Sequence, residues 1–552
     1  MAYDPEPWYP PSAGEVEQGF TPFVADVARR AARVIAIDGP ATAGWLRFVE
    51  PLAASLGAET LDMRRHYVPW EEVRRRTSES ELPGDTVFAR LCTRSLADLI
   101  DELPSLPEDG VVLVYGPGSS LVPHDLLWYV DVPKRVSLDA VRRGTAGNLG
   151  QPPGEGGSEQ RLLFVDWPIV ERHKQVLASS IDRYVEVSAP GRPRSLSGGA
   201  LRSSLSDLAG RPFRTRPTFF PGPWGGQWLR RHLGIETDAP NLAWSYELIT
   251  PESGILLGDA QPLEVGFELL MALEGPRVLG AEVAERFGTS FPIRFDYLDT
   301  LEGGHLSLQC HPTLEYAREV FGLEYTQDET YYVMETTPEA RVFLGLRDEV
   351  DLERFRAAAE SAERGVPLQA DRYLLAQAAE QHRLYLIPAG TPHASGAGNV
   401  VLEISATPYL YTLRFYDWLR RDLDGRLRPV HVRHAFANVD ARRRGDAVAE
   451  LMPEPHVTRR GNGWSELELG RHPDLFFAVH RLDFADAVDD DTNGCVNVLN
   501  LVAGENVEIE TERGDVHLLS YAETIVVPAA VGRYRLRRTR GPGCKVVKAF
   551  VP

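Results

Sequence analysis

Lysine is nearly missing from this 552-residue chain. Only Lys134, Lys174, Lys545 and Lys548 occur, so arginine carries almost all the positive charge. A GC-rich coding sequence accounts for such a bias, and it excludes lysine chemistry anywhere between residues 175 and 544. Cysteine is also sparse. Cys92, Cys310, Cys495 and Cys544 are far apart and form no CxxC pair, which leaves neither a thiolate zinc site nor a disulfide framework, and a reducing cytoplasm is the expected compartment. No uncharged apolar run approaches the roughly 20 residues of a membrane span. The N-terminal "MAYDPEPWYPPSAGEVEQGF" lacks the basic stretch and apolar run of a secretory signal, so no membrane partner is expected. Cations are outnumbered 59 to 79, and the formal charge of −20 argues against a partner bound by phosphate neutralisation, such as nucleic acid.

What is present reads as an ordinary globular composition on a chain too long for one core, hence roughly two to four domains. "RVIAIDG" (33–39), "GVVLVYGPGS" (110–119) and "LLWYVDVP" (126–133) are buried-strand patterns, and helical spacing such as "GWLRFVEPLAASLGA" (44–58) falls between them. Strands alternating with helices predict a parallel sheet with helical cover over the first third. "GTAGNLGQPPGEGGSEQ" (144–160) reads as a flexible loop and "PGRPRSLSGG" (190–199) as a linker, with a domain boundary near 205–215. Beyond about 290, short alternating strands separated by Gly/Pro turns predict antiparallel barrels or jelly rolls. The expected domains are 1–208, α/β; 209–435, β-rich with a helical insert near 350–380; and 436–552, a second β-barrel module.

Residues 39–46, "GPATAGWL", follow a strand and open a helix, with Gly39 and Gly44 at the spacing of a phosphate-binding loop. Trp45 and Leu46 stand where such a loop needs lysine and a hydroxyl. Neither side chain reaches a phosphate or a magnesium ion, so a scaffold that has lost phosphotransfer is expected. The surrounding "LWYVDVPKRVSLDAVRR" and "LLFVDWPIVERHKQVLASSIDRYVEV" resemble the uridine-kinase type of P-loop kinase diffusely over about 30–190. A degenerate, pseudokinase-like P-loop domain is what that resemblance implies.

In "HLSLQCH" (305–311), Gln309 and His311 are two apart, so a strand points both to one face and Cys310 to the other. Glu329 opens "ETYYVM" and can reach the same interior from a neighbouring strand. The turn Pro388-Ala389-Gly390 in "LIPAGTPHASGAG" puts His393 at a strand start on a barrel rim. Nitrogen and oxygen donors of this kind suit zinc or another borderline divalent ion. Each residue alone is more often a satisfied core or surface group.

Together, "LSLQCHP…EYA", "QDETYYVM…PEARVFLGL", "IPAGTPHASGAG", "VLEIS" and "RFYDW" resemble the type I phosphomannose isomerases, a cupin-fold family, over about 215–552. "PGPWGGQWLRRHLGI", with Trp224 and Gly225, resembles that family's entry segment, and "LAWSYELI" (242–249) is a looser match. The resemblance implies one Zn²⁺ per chain on Gln309, His311, Glu329 and His393, and a sugar-phosphate substrate. It implies interconversion of mannose 6-phosphate and fructose 6-phosphate through a cis-enediol, with Glu403 and Arg414 as catalytic residues. Arg420, Arg294 and Asp417 then fall to substrate binding, Arg420 as a bidentate phosphate clamp. The plain alternative for Glu403 and Arg414 is a buried ion pair inside a barrel, though buried charge is costly unless it is paired or used.

Two departures stand out. The family lysine ahead of the Gln-His motif is replaced by Asp296, with Arg294 two residues earlier on the same strand face, and "EQHRLY" stands where a Gly-Asp pair often occurs. The alternatives kept open are a non-catalytic, metal-containing sugar sensor beside a pseudokinase, and a bifunctional kinase–isomerase. Homo-oligomerisation or a regulatory ligand at the N-terminal domain also stays open.

Overall fold

The computed structural model describes residues 3–152, 154–188, 191–250, 252–406, 409–422 and 425–552. The chain divides into two compact units. One comprises 8–208 and 254–274; the other comprises 1–7, 209–253 and 275–552.

In the first unit, the β-branched runs form β1 (Val34–Asp38), β2 (Glu59–Asp62), β3 (Val112–Tyr115), β4 (Leu126–Asp131) and β5 (Arg183–Glu186). They pair in parallel in the order β2-β3-β1-β4-β5. Two antiparallel strands, Arg194–Ser197 and Glu17–Gln18, extend the β5 edge. The first of these corrects the linker expectation. Ser195 pairs with Val185, Arg194 binds the Glu186 carboxylate, and a helix, Gly198–Leu208, follows directly; Pro190 itself lies outside the described residues. The loop 144–160, of which Pro153 is not described, is cross-tied rather than loose: Asn148 donates to Asp166 and Ser158 O and accepts from Ser158 N.

After β1 the chain makes no open phosphate cradle. The Asp38 carboxylate accepts the backbone N–H groups of Gly39, Gly118 and Ser120 and contacts His173 Nε2 at 3.0 Å. Only Gly39 among these belongs to the 39–46 loop; Gly118 and Ser120 follow β3, so the carboxylate ties the start of the loop to the end of the neighbouring strand. Gly39 is packed so closely that a Cβ there would stand 2.1 Å from Val130 O. Trp45, the first residue of the helix Trp45–Leu56, is buried in the core against Tyr115.

In the second unit, a six-stranded antiparallel sheet runs in the order Leu384–Ile387, Glu329–Thr336, Asn399–Ser405, Arg294–Asp299, Trp244–Leu248 and Thr218–Phe220. Its strands are β6 (Trp244–Leu248), β7 (Arg294–Asp299), β9 (Glu329–Thr336), β11 (Leu384–Ile387) and β13 (Asn399–Ser405). A five-stranded sheet runs from Leu374–Ala378 through β10 (Arg341–Leu346), β12 (His393–Ser395) and β8 (Leu308–Cys310) to β14 (Leu413–Tyr416). The expected helical insert is shorter than 350–380: a helix covers Leu352–Ala362, capped by the Asp351 carboxylate, and the chain is already a strand again at Leu374. Two further antiparallel sheets, of six and four strands, close around an aliphatic core in the C-terminal region. The architecture is multidomain and β-rich, compatible with cupin-like domains. Among the described residues, no helix is long and apolar enough to cross a membrane.

Candidate metal centre

Antiparallel register brings the chemistry together. β8 pairs with both β12 and β14, so that Gln309 faces His393 on one side and Arg414 on the other. Directly opposed residues share a sheet face, and β8 hands on at once to His311. From the other sheet, Glu329 reaches across to contact His311 Nε2 closely and lies 3.5 Å from His393 Nε2. His311, Glu329 and His393 are fully buried, with donor atoms all within 4.8 Å of one another. Gln309 Nε2 sits 3.4 Å from His393 Nε2, and its Oε1 accepts the Ser307 hydroxyl at 2.8 Å. A half-turn of that carboxamide would present the oxygen instead.

These residues fit a cation. His393 Nδ1 is 2.8 Å from Thr391 O and His311 Nδ1 is 3.4 Å from Tyr411 O. A ring that donates from Nδ1 keeps its Nε2 lone pair for the site, the arrangement found behind histidine metal ligands. His311 Nε2 and both Glu329 oxygens make no hydrogen bond of ordinary geometry, and such groups are costly to bury unless something else binds them. Burial lowers His311 to about 3 and His393 to about 4, so both imidazoles are neutral at pH 7. Burial also raises Glu329. Cys310 faces the other way, as alternation requires, but it is covered: its thiol contacts Ala435 O and is pushed up by burial.

Beside this cluster lies a second one on the six-stranded sheet. Asp296 and Tyr331 both oppose Glu403, and Arg294 and Glu329 both oppose Ser405, so all six share a face. Arg294 donates to Glu403 at 2.9 Å and to Asp296 at 3.0 Å, and Ser405 donates to Glu403 at 2.9 Å. Burial raises Glu403 to about 8 and Asp296 to about 7, even against the pull of Arg294. Arg294 is itself opposed by burial, yet its two carboxylate neighbours raise it. The ion pair read for Glu403 and Arg414 is thus corrected: the partner of Glu403 is Arg294, which the register puts within reach. Arg414 instead donates to Pro429 O, and burial followed by Arg428 lowers it to about 10.

Arg414 belongs to an arginine group at the end of β14. Asp417 accepts from both Arg420 and Arg428, and Arg420 also donates to His305 O. Three guanidiniums against Asp417 and the half-exposed Asp422, 3.8 Å from Arg428 Nε, leave net positive charge. The next two residues, Trp418 and Leu419, have φ of 55° and 54°, a strained left-handed pair without glycine. Ser307, Tyr331, Ser405 and Arg428 are members of the site that the sequence reading passed over. Three of them sit two residues from a named site residue on the same strand or its approach, so alternation was the available signal; Arg428 had none.

A family model described as a domain of unknown function (DUF8485) matches residues 19–210. The mannose-6-phosphate isomerase ManA of Bacillus subtilis (strain 168) is 22% identical over 326 residues, covering 59% of this chain and 95% of that protein. The mannose-6-phosphate isomerase of Streptococcus mutans is 27% identical over 219 residues, 39% of this chain and 63% of that protein. Among solved structures, the mannose 6-phosphate isomerase from Bacillus subtilis superposes with a TM-score of 0.49 at 19% identity, covering 61% of this chain and 99% of that one.

Proposed function

We propose that this chain is a metal-dependent aldose–ketose isomerase that interconverts mannose 6-phosphate and fructose 6-phosphate, or a closely related sugar phosphate. The observation that carries the reading is the buried His311–Glu329–His393 cluster set beside Glu403, a carboxyl whose pKa of about 8 suits proton transfer near neutral pH. Two curated relatives, at 22% and 27% identity, are mannose-6-phosphate isomerases, which supports this reading.

His311, Glu329 and His393, with Gln309 after rotation of its amide, would hold the metal, and zinc is the ion this donor set suits best. When bound, the metal supplies Lewis-acid polarisation of substrate oxygens. The chain's own groups do the rest. Glu403 moves a proton between C1 and C2 of the sugar as it passes through a cis-enediol. Arg294 fixes the Glu403 carboxylate through its hydrogen bond, and keeps a cation on the face where Asp296 would otherwise repel an anion. Arg414, next to Gln309, stabilises negative charge developing on the enediolate. Arg420 and Arg428, braced by Asp417, receive the phosphate.

For the N-terminal unit we propose no phosphotransfer, because Trp45 and Leu46 stand at the lysine and hydroxyl positions of such a loop and Trp45 is a core residue. A sugar-binding protein without turnover has only the Asp296 replacement behind it and is not favoured, since Arg294 keeps a cation on that face beside Glu403.

Glu403→Gln tests the assignment. It keeps the shape and the Arg294 contact, so metal content should be unchanged while kcat falls by roughly 10²–10⁴-fold. A variant with full metal and near-normal kcat would remove Glu403 from the proton path.

A further inference from the structure

Arg443 is a buried guanidinium that the proposed isomerase chemistry does not use. It lies beyond the helix Val432–Asn438, ahead of the C-terminal sheets. Burying such a group is costly unless it is paired or bonded, and burial lowers its pKa against the pull of Asp440 and Asp474. Carboxylates take only part of its donor capacity. Nη2 donates to the half-exposed Asp474 at 2.8 Å, and Nε stands 3.5 Å from Asp440. Nη1 goes instead to a single backbone turn. It lies 2.6 Å from Pro388 O, 2.6 Å from Ala389 O and 2.5 Å from the Thr391 hydroxyl.

That turn is where the three candidate metal ligands meet through the backbone. Thr391 O is 2.8 Å from His393 Nδ1 and so orients the ring that must present Nε2. Gly390 N donates to His311 O at 2.9 Å, and Ala389 N donates at 2.9 Å to Asp328, the residue before Glu329. The turn also closes on itself, because Pro388 O accepts Thr391 N at 3.1 Å and the Thr391 hydroxyl at 2.6 Å. Gly390 has φ of 81°, and a Cβ there would stand 2.6 Å from Asn438 O, so the turn is closely seated. Four consecutive residues thus fix the backbone behind all three ligands, and one guanidinium bonds three of the four.

We propose that Arg443 is a positioning residue for the metal centre, holding the 388–391 turn so that His393 Nε2 faces His311 and Glu329. The inference rests on the metal-centre reading given above. The hydrogen bonds of Arg443 go to the turn and to Asp474, not to a ligand ring, so it acts through the turn. Groups that orient a histidine ligand from behind change metal affinity by roughly 10- to 100-fold when removed.

The test is zinc affinity of the full chain, measured by competition with a chromophoric chelator, beside hydrogen exchange of the metal-free protein. Arg443→Met should weaken zinc about 10- to 100-fold and speed exchange of the amides in 389–396 about tenfold. Arg443→Lys, which keeps a donor for the turn, should recover part of that affinity. Val488→Ala, in the C-terminal aliphatic core, is the control for lost stability and should bind zinc like the parent. A folded Arg443→Met protein with parental affinity, or a loss that Val488→Ala reproduces, overturns the proposal. Where Arg443→Met does not fold, Thr391→Val decides: removing the hydroxyl between Arg443 and Pro388 should weaken zinc severalfold, and parental affinity overturns the proposal. A parent that binds no zinc contradicts the metal-centre reading instead. Arg443 is then judged by exchange in 389–396 alone, where parental rates in Arg443→Met overturn its hold on the turn.

Discussion

Glu403 is buried on a strand face between Asp296 and Tyr331, with Arg294 as its cation. Its pKa of about 8 in the folded chain, against the ordinary 4.5, means that the folded state binds this proton more tightly than the unfolded state does. The stability it contributes is complete below about pH 4.5 and is lost as pH rises through 8. In metal-free protein, Glu403→Gln should therefore gain stability relative to the parent between pH 5.5 and pH 8, by up to a few kcal/mol. Denaturant midpoints at the two pH values measure this, and a difference that shrinks with pH would contradict the burial account. Strand alternation put Gln309 and His311 on one face, whereas Glu329 and His393 joined them as a set through the resemblance to the phosphomannose isomerases. The Arg294–Glu403 pair could not be named, because it depends on which strands become neighbours. Arg294→Met should leave two buried carboxyls without a cation and cost roughly 3–5 kcal/mol, measured by denaturant unfolding with Arg294→Lys as the milder control.

At the scale of elements, period-two alternation located many strands of the antiparallel sheets, and the β1 and β4 runs located the middle of the parallel sheet. What failed were segments whose structure is set by distant partners. The stretch 191–199 looks like a linker by composition, yet it is a strand and a helix start because β5 offers it an edge. Residues 254–274 look like part of the second domain, yet they group with the first unit, where Glu264 pairs with Arg135. The turn after β14 is another such element: Trp418 and Leu419 sit in left-handed conformations that only their surroundings enforce. Trp418 Nε1 donates to Leu306 O, and its ring lies against His305. Leu419→Gly should relieve strain, stabilising the fold by about 1 kcal/mol, while KM for a phosphorylated sugar rises severalfold because Arg420 is less firmly placed. A less stable protein with unchanged KM would show that the turn is merely structural.

For the molecule as a whole, the acidic balance of −20 is not uniform in its consequences. An arginine group survives beside Gln309, and in the other unit the lysine and hydroxyl positions of the 39–46 loop hold Trp45 and Leu46. The chain should accordingly show no magnesium-dependent ATP hydrolysis above background, as measured by phosphate release from ATP with the full-length protein.

The central claim is that the buried His–Glu–His cluster makes this chain a metal-dependent sugar-phosphate isomerase. The most direct measurement is a coupled assay of mannose 6-phosphate conversion with zinc-reconstituted protein, beside His311→Ala and with metal content determined for both. The account predicts turnover by the parent, near one metal per chain, and loss of both metal and at least about 100-fold of activity in the variant. A zinc-loaded, folded parent that converts neither mannose 6-phosphate nor fructose 6-phosphate would contradict it.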